Sequence, residues 1–215
     1  MPSRSVVSCN MTRLESVIAA NRSFVRPNAF PPLPKSPNKQ IAIFTCMDTR
    51  LVDFLEPAMG LKRGEAKVIK NAGNTIVDPM SGAVIRSLVA GVFMLGVEEI
   101  FVIGHRDCGM AEIDADSVKR DMVRRGISPE VIDIHVPDLK QWLGIFSHPV
   151  ENVERVVKVI RYNPLIPQDV PVHGLLFCPN DGHLDIVVDG YTRESFAAGL
   201  VAEQPEANGT GSCCI

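Results

Sequence analysis

Residues Ile41 to Arg50 read IAIFTCMDTR, and Ile100 to Met110 read IFVIGHRDCGM. Each opens as a short apolar run of the kind that makes a buried strand, and each closes in residues that ionise or bind metal. Cys46, Asp48 and Arg50 end the first, and His105 and Cys108 end the second. Parallel sheets gather their binding groups just past the carboxyl ends of the strands. Two such ends side by side would bring Cys46, His105 and Cys108 to one point. Thiolates and imidazole are the ligands that tetrahedral zinc accepts most readily. The expectation is one Zn2+ per subunit on these three residues, with the fourth position left to water.

The Cys-x-Asp-x-Arg spacing adds something that a structural zinc site does not need. Asp48 and Arg50 lie two apart and share a side of an extended chain. A bidentate pair would hold Asp48 ionised and oriented. Asp48 would then accept the hydrogen of zinc-bound hydroxide and aim its lone pair. Alternatively it would fill the fourth zinc position itself until Arg50 captures it. Other readings of the same residues are a structural zinc, a reactive thiolate pair of Cys46 with His105, and plain core, since a cysteine after a strand is usually a small buried hydrophobe.

Outward from these two stretches the chain reads as α/β. Residues 11 to 24 have apolar residues at helical period, with Thr12 and Glu15 spaced as a capping box. The segment RPNAFPPLPKSPNKQ that follows is too rich in proline for a helix or a central strand and reads as an extended strap. Strands are expected over Ile41–Thr45, Ala66–Lys70, Glu99–Gly104, Val172–Cys178 and Leu184–Val188. Helices are expected over 51–60, from Asp78 as cap and Pro79 as first residue to Gly96, over 109–125, 131–147 and 149–162, and over 193–201. The order of strand, helix and strand, with apolar strand runs, argues for a mostly parallel sheet flanked by helices. The turn Pro179-Asn180-Asp181-Gly182 makes the fifth strand antiparallel to the fourth. Three segments result: residues 1–40, helix and strap, which could lie on a partner subunit; 41–202, a single α/β domain; and 203–215, a flexible polar tail ending SCCI.

Composition bounds the partners. A net charge of −3 gives no electrostatic reason to expect nucleic acid. No run approaches the roughly 18 apolar residues of a membrane helix, and the amino terminus lacks the apolar core of a secretory signal. Six cysteines in 215 residues do not make a disulfide scaffold. A cytoplasmic protein with a small-molecule substrate is the expectation. Ser212, not cysteine, stands fourth from the end, so no prenylation box is present.

CMDTR at 46–50 and GHRDCGM at 104–110 resemble the paired motifs of the β-class carbonic anhydrases, and KNAGN at 70–74 matches that family's connection after its second strand. The resemblance covers about residues 41–190. It implies Cys46, His105 and Cys108 as zinc ligands, Asp48 and Arg50 as the catalytic dyad, and the Gly109 N–H directed at substrate. It implies strand order 2-1-3-4 with a terminal antiparallel strand. It also implies a dimer or dimer of dimers, with the amino-terminal helix laid over a neighbour.

In two respects the chain departs from the plant-like members. It is short, and the glutamine that donates to substrate has no match, since Gln40 lies before the strand that ends in Cys46. It looks more like the compact branch, which includes hydrolases of carbonyl sulfide and carbon disulfide. On that ground carbonyl sulfide hydrolysis is expected first and carbonic anhydrase activity second, with dual activity, a non-catalytic zinc-binding interaction protein and a redox thiol enzyme as further readings. The pocket wall is expected from Phe54, Leu55, Met59 and Met110, with Phe24, Val25 and Phe30 possible from a neighbour. His135, His148, His173 and His183 are candidate proton carriers.

Overall fold

The computed structural model describes residues 11–25 and 30–192. The expectations for residues 1–10, for part of the strap, for a helix over 193–201 and for the tail with Cys213 and Cys214 lie outside the described residues. Two compact units are distinguished, Met1–Leu33 and Pro34–Ile215.

Among the described residues the first unit contains one helix, α1 (Arg13–Val25). Its start is the capping box read from the sequence: the Thr12 N–H donates to Glu15 Oε2 at 2.8 Å, and the Glu15 N–H donates to Thr12 Oγ1 at 3.2 Å. The helix buries none of its residues, and Leu14, Val17 and Ile18 leave an uncovered apolar side.

The second unit runs β1 (Ile41–Cys46), α2 (Leu55–Ala58), β2 (Ala66–Asn71), α3 (Ala83–Leu95), β3 (Glu99–His105), α4 (Ala115–Arg124), α5 (Pro129–His135), α6 (Leu139–Leu143), α7 (Pro149–Arg161), β4 (Val172–Phe177) and β5 (Leu184–Val188). The sheet order is β2-β1-β3-β4-β5, parallel except for β4 with β5. This is the order expected from the sequence. The end of the proline-rich stretch lies along this unit's own edge: the N–H groups of Asn38 and Lys39 donate to the carbonyls of Gly64 and Glu65, each at 3.0 Å.

Strand parity divides the core into two layers. Ala42 and Phe44 of β1, with Ile100 and Val102 of β3, face α3 and α7 and pack with Ile85, Leu88, Val153, Val156, Val157 and Ile160. Ile43 and Ile103 face the other way, toward Leu51, Leu55, Leu61, Met110 and Phe177. Both strands therefore carry unbroken apolar runs, Ile41–Phe44 and Ile100–Ile103, as strands buried on two faces do. Each fully buried large side chain contributes about 1.5–3 kcal/mol from removal of apolar surface. Gly104 lets α7 come close to β3: a Cβ there would lie 2.6 Å from Val153 Cγ2.

Three local expectations need correction. The helix after β2 starts at Ala83 with Gly82 as cap, not at Pro79 with Asp78 as cap. The Asp78 carboxylate is used in a turn, accepting from the N–H groups of Met80 and Ser81 at 3.0 and 2.9 Å. The chain folds back so tightly there that a Cβ on Gly82 would meet the Asp78 carbonyl oxygen. Secondly, α3 packs its Val84, Ile85 and Leu88 side against the sheet, while Phe93 and Met94 on the other side stand 65% and 78% exposed, which its nearly all-round apolar composition did not distinguish. Thirdly, the stretch 131–147 is two short helices, because Pro137 interrupts it and Asp138 caps a fresh start through the Gln141 N–H.

Candidate metal centre

Adjacent ends of β1 and β3 meet as the strand register requires: Thr45 pairs with Ile103, after which Cys46 pairs on with Asn71 of β2 and His105 with Phe177 of β4. Cys46 closes β1 and His105 closes β3, while Cys108 follows after two intervening residues and caps the short turn Gly109–Ala111. The two Sγ atoms and one His105 ring nitrogen lie within 4.8 Å of one another, and all three residues are buried.

His105 Nδ1 lies 2.9 Å from the carbonyl oxygen of Arg106, an acceptor only, so the proton belongs on Nδ1. Nε2 then carries a bare lone pair. It is buried and has no hydrogen-bond partner. A buried polar atom left unmatched costs about 1–3 kcal/mol, and native proteins seldom leave one without a reason. A lone pair on imidazole, aimed among two thiols, fits a metal and satisfies that atom. The tautomer is the one that metal-binding histidines adopt when a backbone carbonyl orients them.

One of the two sulfurs is favoured as a thiolate. Backbone N–H groups of Asp48 and Gly73 favour the Cys46 thiolate, and that of Met110 favours the Cys108 thiolate. The Cys108 thiol is the largest influence on Cys46 and, against burial, draws it down to about 4 as a thiolate. The same hydrogen bond pushes Cys108 up. Burial opposes protonation of His105, but the Cys46 thiolate beside it prevails and holds it above its ordinary value.

Asp48 and Arg50 form the expected bidentate pair. Arg50 Nε donates to Asp48 Oδ1 at 3.0 Å and Nη2 to Oδ2 at 2.8 Å, while the Arg50 backbone N–H donates to Oδ1 at 2.8 Å. The guanidinium, first through its hydrogen bonds, draws the Asp48 carboxyl down to about 2. Asp48 Oδ2 stands 3.8 Å from His105 Nε2, so the carboxylate borders the ligand cluster while Arg50 holds it.

The remaining candidates distribute unevenly. Leu55 and Met110 are buried in the same apolar cluster as Cys46 and Cys108. Phe54 and Met59 lie at its margin, with the Phe54 ring edge-on to Phe177 at 5.4 Å. Gly109 opens a short turn, and a Cβ there would meet nothing within 4 Å, so space adjoins it. Gln40 sits at the opposite end of β1, bonded to Glu98. Of the histidines, His173 is buried early in β4, stacked on Phe101 and 2.8 Å from Glu99. His183 is exposed on the hairpin, 3.2 Å from Asp185. Neither belongs to the ligand cluster.

Sequence reasoning missed three residues that act on this site. Asp107 binds Arg50 through its carboxylate and its carbonyl. Asn152 and Arg155, on α7, hold the loop after β2: Asn152 Nδ2 donates to the Gly73 and Asn74 carbonyls, and Arg155 donates to Ile76 O and Asn152 Oδ1. A signal for Asn152 was present, since it is a polar residue on the apolar side of an amphipathic helix.

A family model described as carbonic anhydrase matches residues 41–184. A putative carbonic anhydrase of Bacillus subtilis, YvdA, is 40% identical over 189 residues, 86% of this chain and 95% of that protein. The crystal structure of β-carbonic anhydrase isoform I from Trichomonas vaginalis is similar with TM-score 0.81 and 44% identity, covering 84% of this chain and all of that one. A carbon disulfide hydrolase of Acidithiobacillus thiooxidans is 31% identical over 159 residues, 68% of this chain and 76% of that protein.

Proposed function

The chain belongs to the β-carbonic anhydrase family, and from that membership we propose that it catalyses the reversible hydration of carbon dioxide to bicarbonate on a zinc ion. The observation that carries the reading is the ionised Asp48 beside the ligand cluster, held by both edges of its carboxylate on Arg50. A merely structural metal site has no use for that pair.

Cys46, His105 and Cys108 would hold the zinc. When bound, zinc supplies a Lewis acid that brings the pKa of water toward about 7. Asp48 accepts a hydrogen bond from the attacking hydroxyl and turns its lone pair to the substrate carbon. Arg50 keeps Asp48 from taking the proton, because an acid drawn down to about 2 stays ionised at neutral pH. Leu55 and Met110 line the apolar side and exclude bulk water. The Gly109 N–H is placed in this reading to receive a substrate oxygen. Water and carbon dioxide combine into bicarbonate, and one proton leaves to solvent.

Carbonyl sulfide hydrolysis stays as the second reading, because the same linear electrophile would meet the same groups and carbon disulfide hydrolases are among the relatives. Carbon dioxide is put first because the relatives of higher identity and coverage bear the carbonic anhydrase name. The preference drawn from chain length has no counterpart in the site's geometry. The uncovered apolar sides of α1 and α3 support a homodimer or dimer of dimers. No helix among the described residues is long and apolar enough to cross a membrane.

The test is parallel kinetics on zinc-loaded protein: stopped-flow hydration of carbon dioxide, and hydrogen sulfide release from carbonyl sulfide. Fast hydration with trace sulfide release supports the proposal. Efficient sulfide release with weak hydration replaces it by the second reading.

A further inference from the structure

We propose that Asp107 is a positioning residue for Asp48, acting through Arg50; this rests on the catalytic reading of the dyad given above. Arg50 is a long side chain, 38% exposed, and one carboxylate at one edge would leave its other end free to turn. Asp107 grips that other end. Arg50 Nη1 donates to Asp107 Oδ2 at 2.5 Å, and Nη2 donates to the Asp107 carbonyl oxygen at 2.6 Å. The guanidinium plane is thereby spanned between two acids, with its Nε–Nη2 edge presented to Asp48.

The backbone is arranged for this contact. Asp107 has φ +52°, in the left-handed region that non-glycine residues seldom occupy and that Asp and Asn tolerate best. Such a conformation persists where the surroundings over-determine it, and it clusters at functional sites. Asp107 immediately precedes Cys108, and Asp48 comes two residues after Cys46. The bridge Asp48–Arg50–Asp107 thus ties together the two strand ends that carry the ligand cluster.

Stability does not account for this arrangement. Asp107 is 60% exposed, and surface ion pairs contribute about 0–1 kcal/mol. What the clamp does supply is orientation. The Asp48 carboxylate has two places to go: onto Arg50, or inward to the ligand cluster that it already approaches. A guanidinium fixed at its far end holds the first arrangement. With Asp107 neutral, Arg50 swings and Asp48 is released toward the cluster.

Asp107→Asn is the probe. Asparagine has the same size, keeps the backbone carbonyl and accepts φ +52°, so the carboxylate charge alone is removed. Asp107→Gly, which also accepts that backbone, serves as the second variant. Both are expected to retain zinc and to lower kcat about 10- to 100-fold, with a smaller change in KM. In an Asp48→Asn background, adding Asp107→Asn should cost nothing more, because the residue acts only through Asp48. The visible spectrum of cobalt-substituted protein should change with Asp107→Asn, reporting an altered ligand set. It should not change when Asp107→Asn is added to Asp48→Asn. Wild-type kcat with an unaltered cobalt spectrum overturns the proposal, and so do losses that multiply in the double variant. If the unsubstituted zinc protein turns over neither carbon dioxide nor carbonyl sulfide, the functional reading fails by itself, and the cobalt spectra still decide the positioning role.

Discussion

Asn152 Nδ2 donates to the carbonyl oxygen of Gly73 at 3.1 Å, and thereby a helix late in the chain sets the loop that follows β2. The same nitrogen reaches Asn74 O at 3.2 Å, and Arg155 Nη2 donates to Asn152 Oδ1 at 2.8 Å. Gly73 in turn packs so closely on Met110, which lies in the same buried cluster as Cys46, that a Cβ would lie 2.8 Å from Met110 Cγ. Its φ of +71° suits glycine. A continuous set of contacts therefore runs from α7 to a candidate ligand.

Asn152→Ala would strip two buried carbonyls of their donor. Stability is expected to fall by about 1–3 kcal/mol, read as a lower urea midpoint with unchanged slope. Zinc should also be lost more readily to a competing chelator. A destabilised protein with undiminished zinc affinity would mean that the loop does not transmit to Cys46.

Cys46→Ser, His105→Ala and Cys108→Ser should each purify with substoichiometric zinc, measured by metal analysis after dialysis. Chelation of the unsubstituted protein should lower its melting temperature, since metal binding adds to folding free energy. Stoichiometric zinc in all three variants would remove these residues from the ligand set.

Asp48→Asn preserves volume but discards the charge that Arg50 stabilises. Zinc should remain, while turnover drops on the order of 10²-fold. Because the pair is bidentate, Arg50→Lys is expected to fall short of full activity despite its retained charge. A wild-type rate for Asp48→Asn would withdraw the carboxylate from the chemistry.

Gly104 and Val153 offer a test of the scaffold. Gly104→Ala places a methyl 2.6 Å from Val153 Cγ2 and should cost about 1–3 kcal/mol. Val153→Ala opens a cavity and costs stability independently. Together they should cost less than the sum of the two, because the shorter side chain makes room for the added methyl. Additive losses would show that α7 relieves the contact by moving.

The sequence by itself determined the sheet order and the meeting of Cys46, His105 and Cys108. Strand burial is a local property: the apolar runs Ile41–Phe44 and Ile100–Ile103 arise because both faces of each strand are covered. Parallel pairing then places whatever follows the two strands side by side, so Cys46, Asp48, His105 and Cys108 could be read as one site from their positions alone. The capping box of Thr12 and Glu15 was legible for the same reason, both partners lying within one turn. Tertiary structure decided the rest. Asp107 looked like a spacer inside HRDC, and only the turn after β3, with its positive φ, brings it to Arg50. Asn152 and Arg155 reach the loop after β2 across 79 residues of sequence. The start of α3 depended on how Asp78 spends its carboxylate. Periodicity and spacing report which surface a residue buries; they carry no information on which distant donor meets which acceptor, because that depends on where whole elements come to rest.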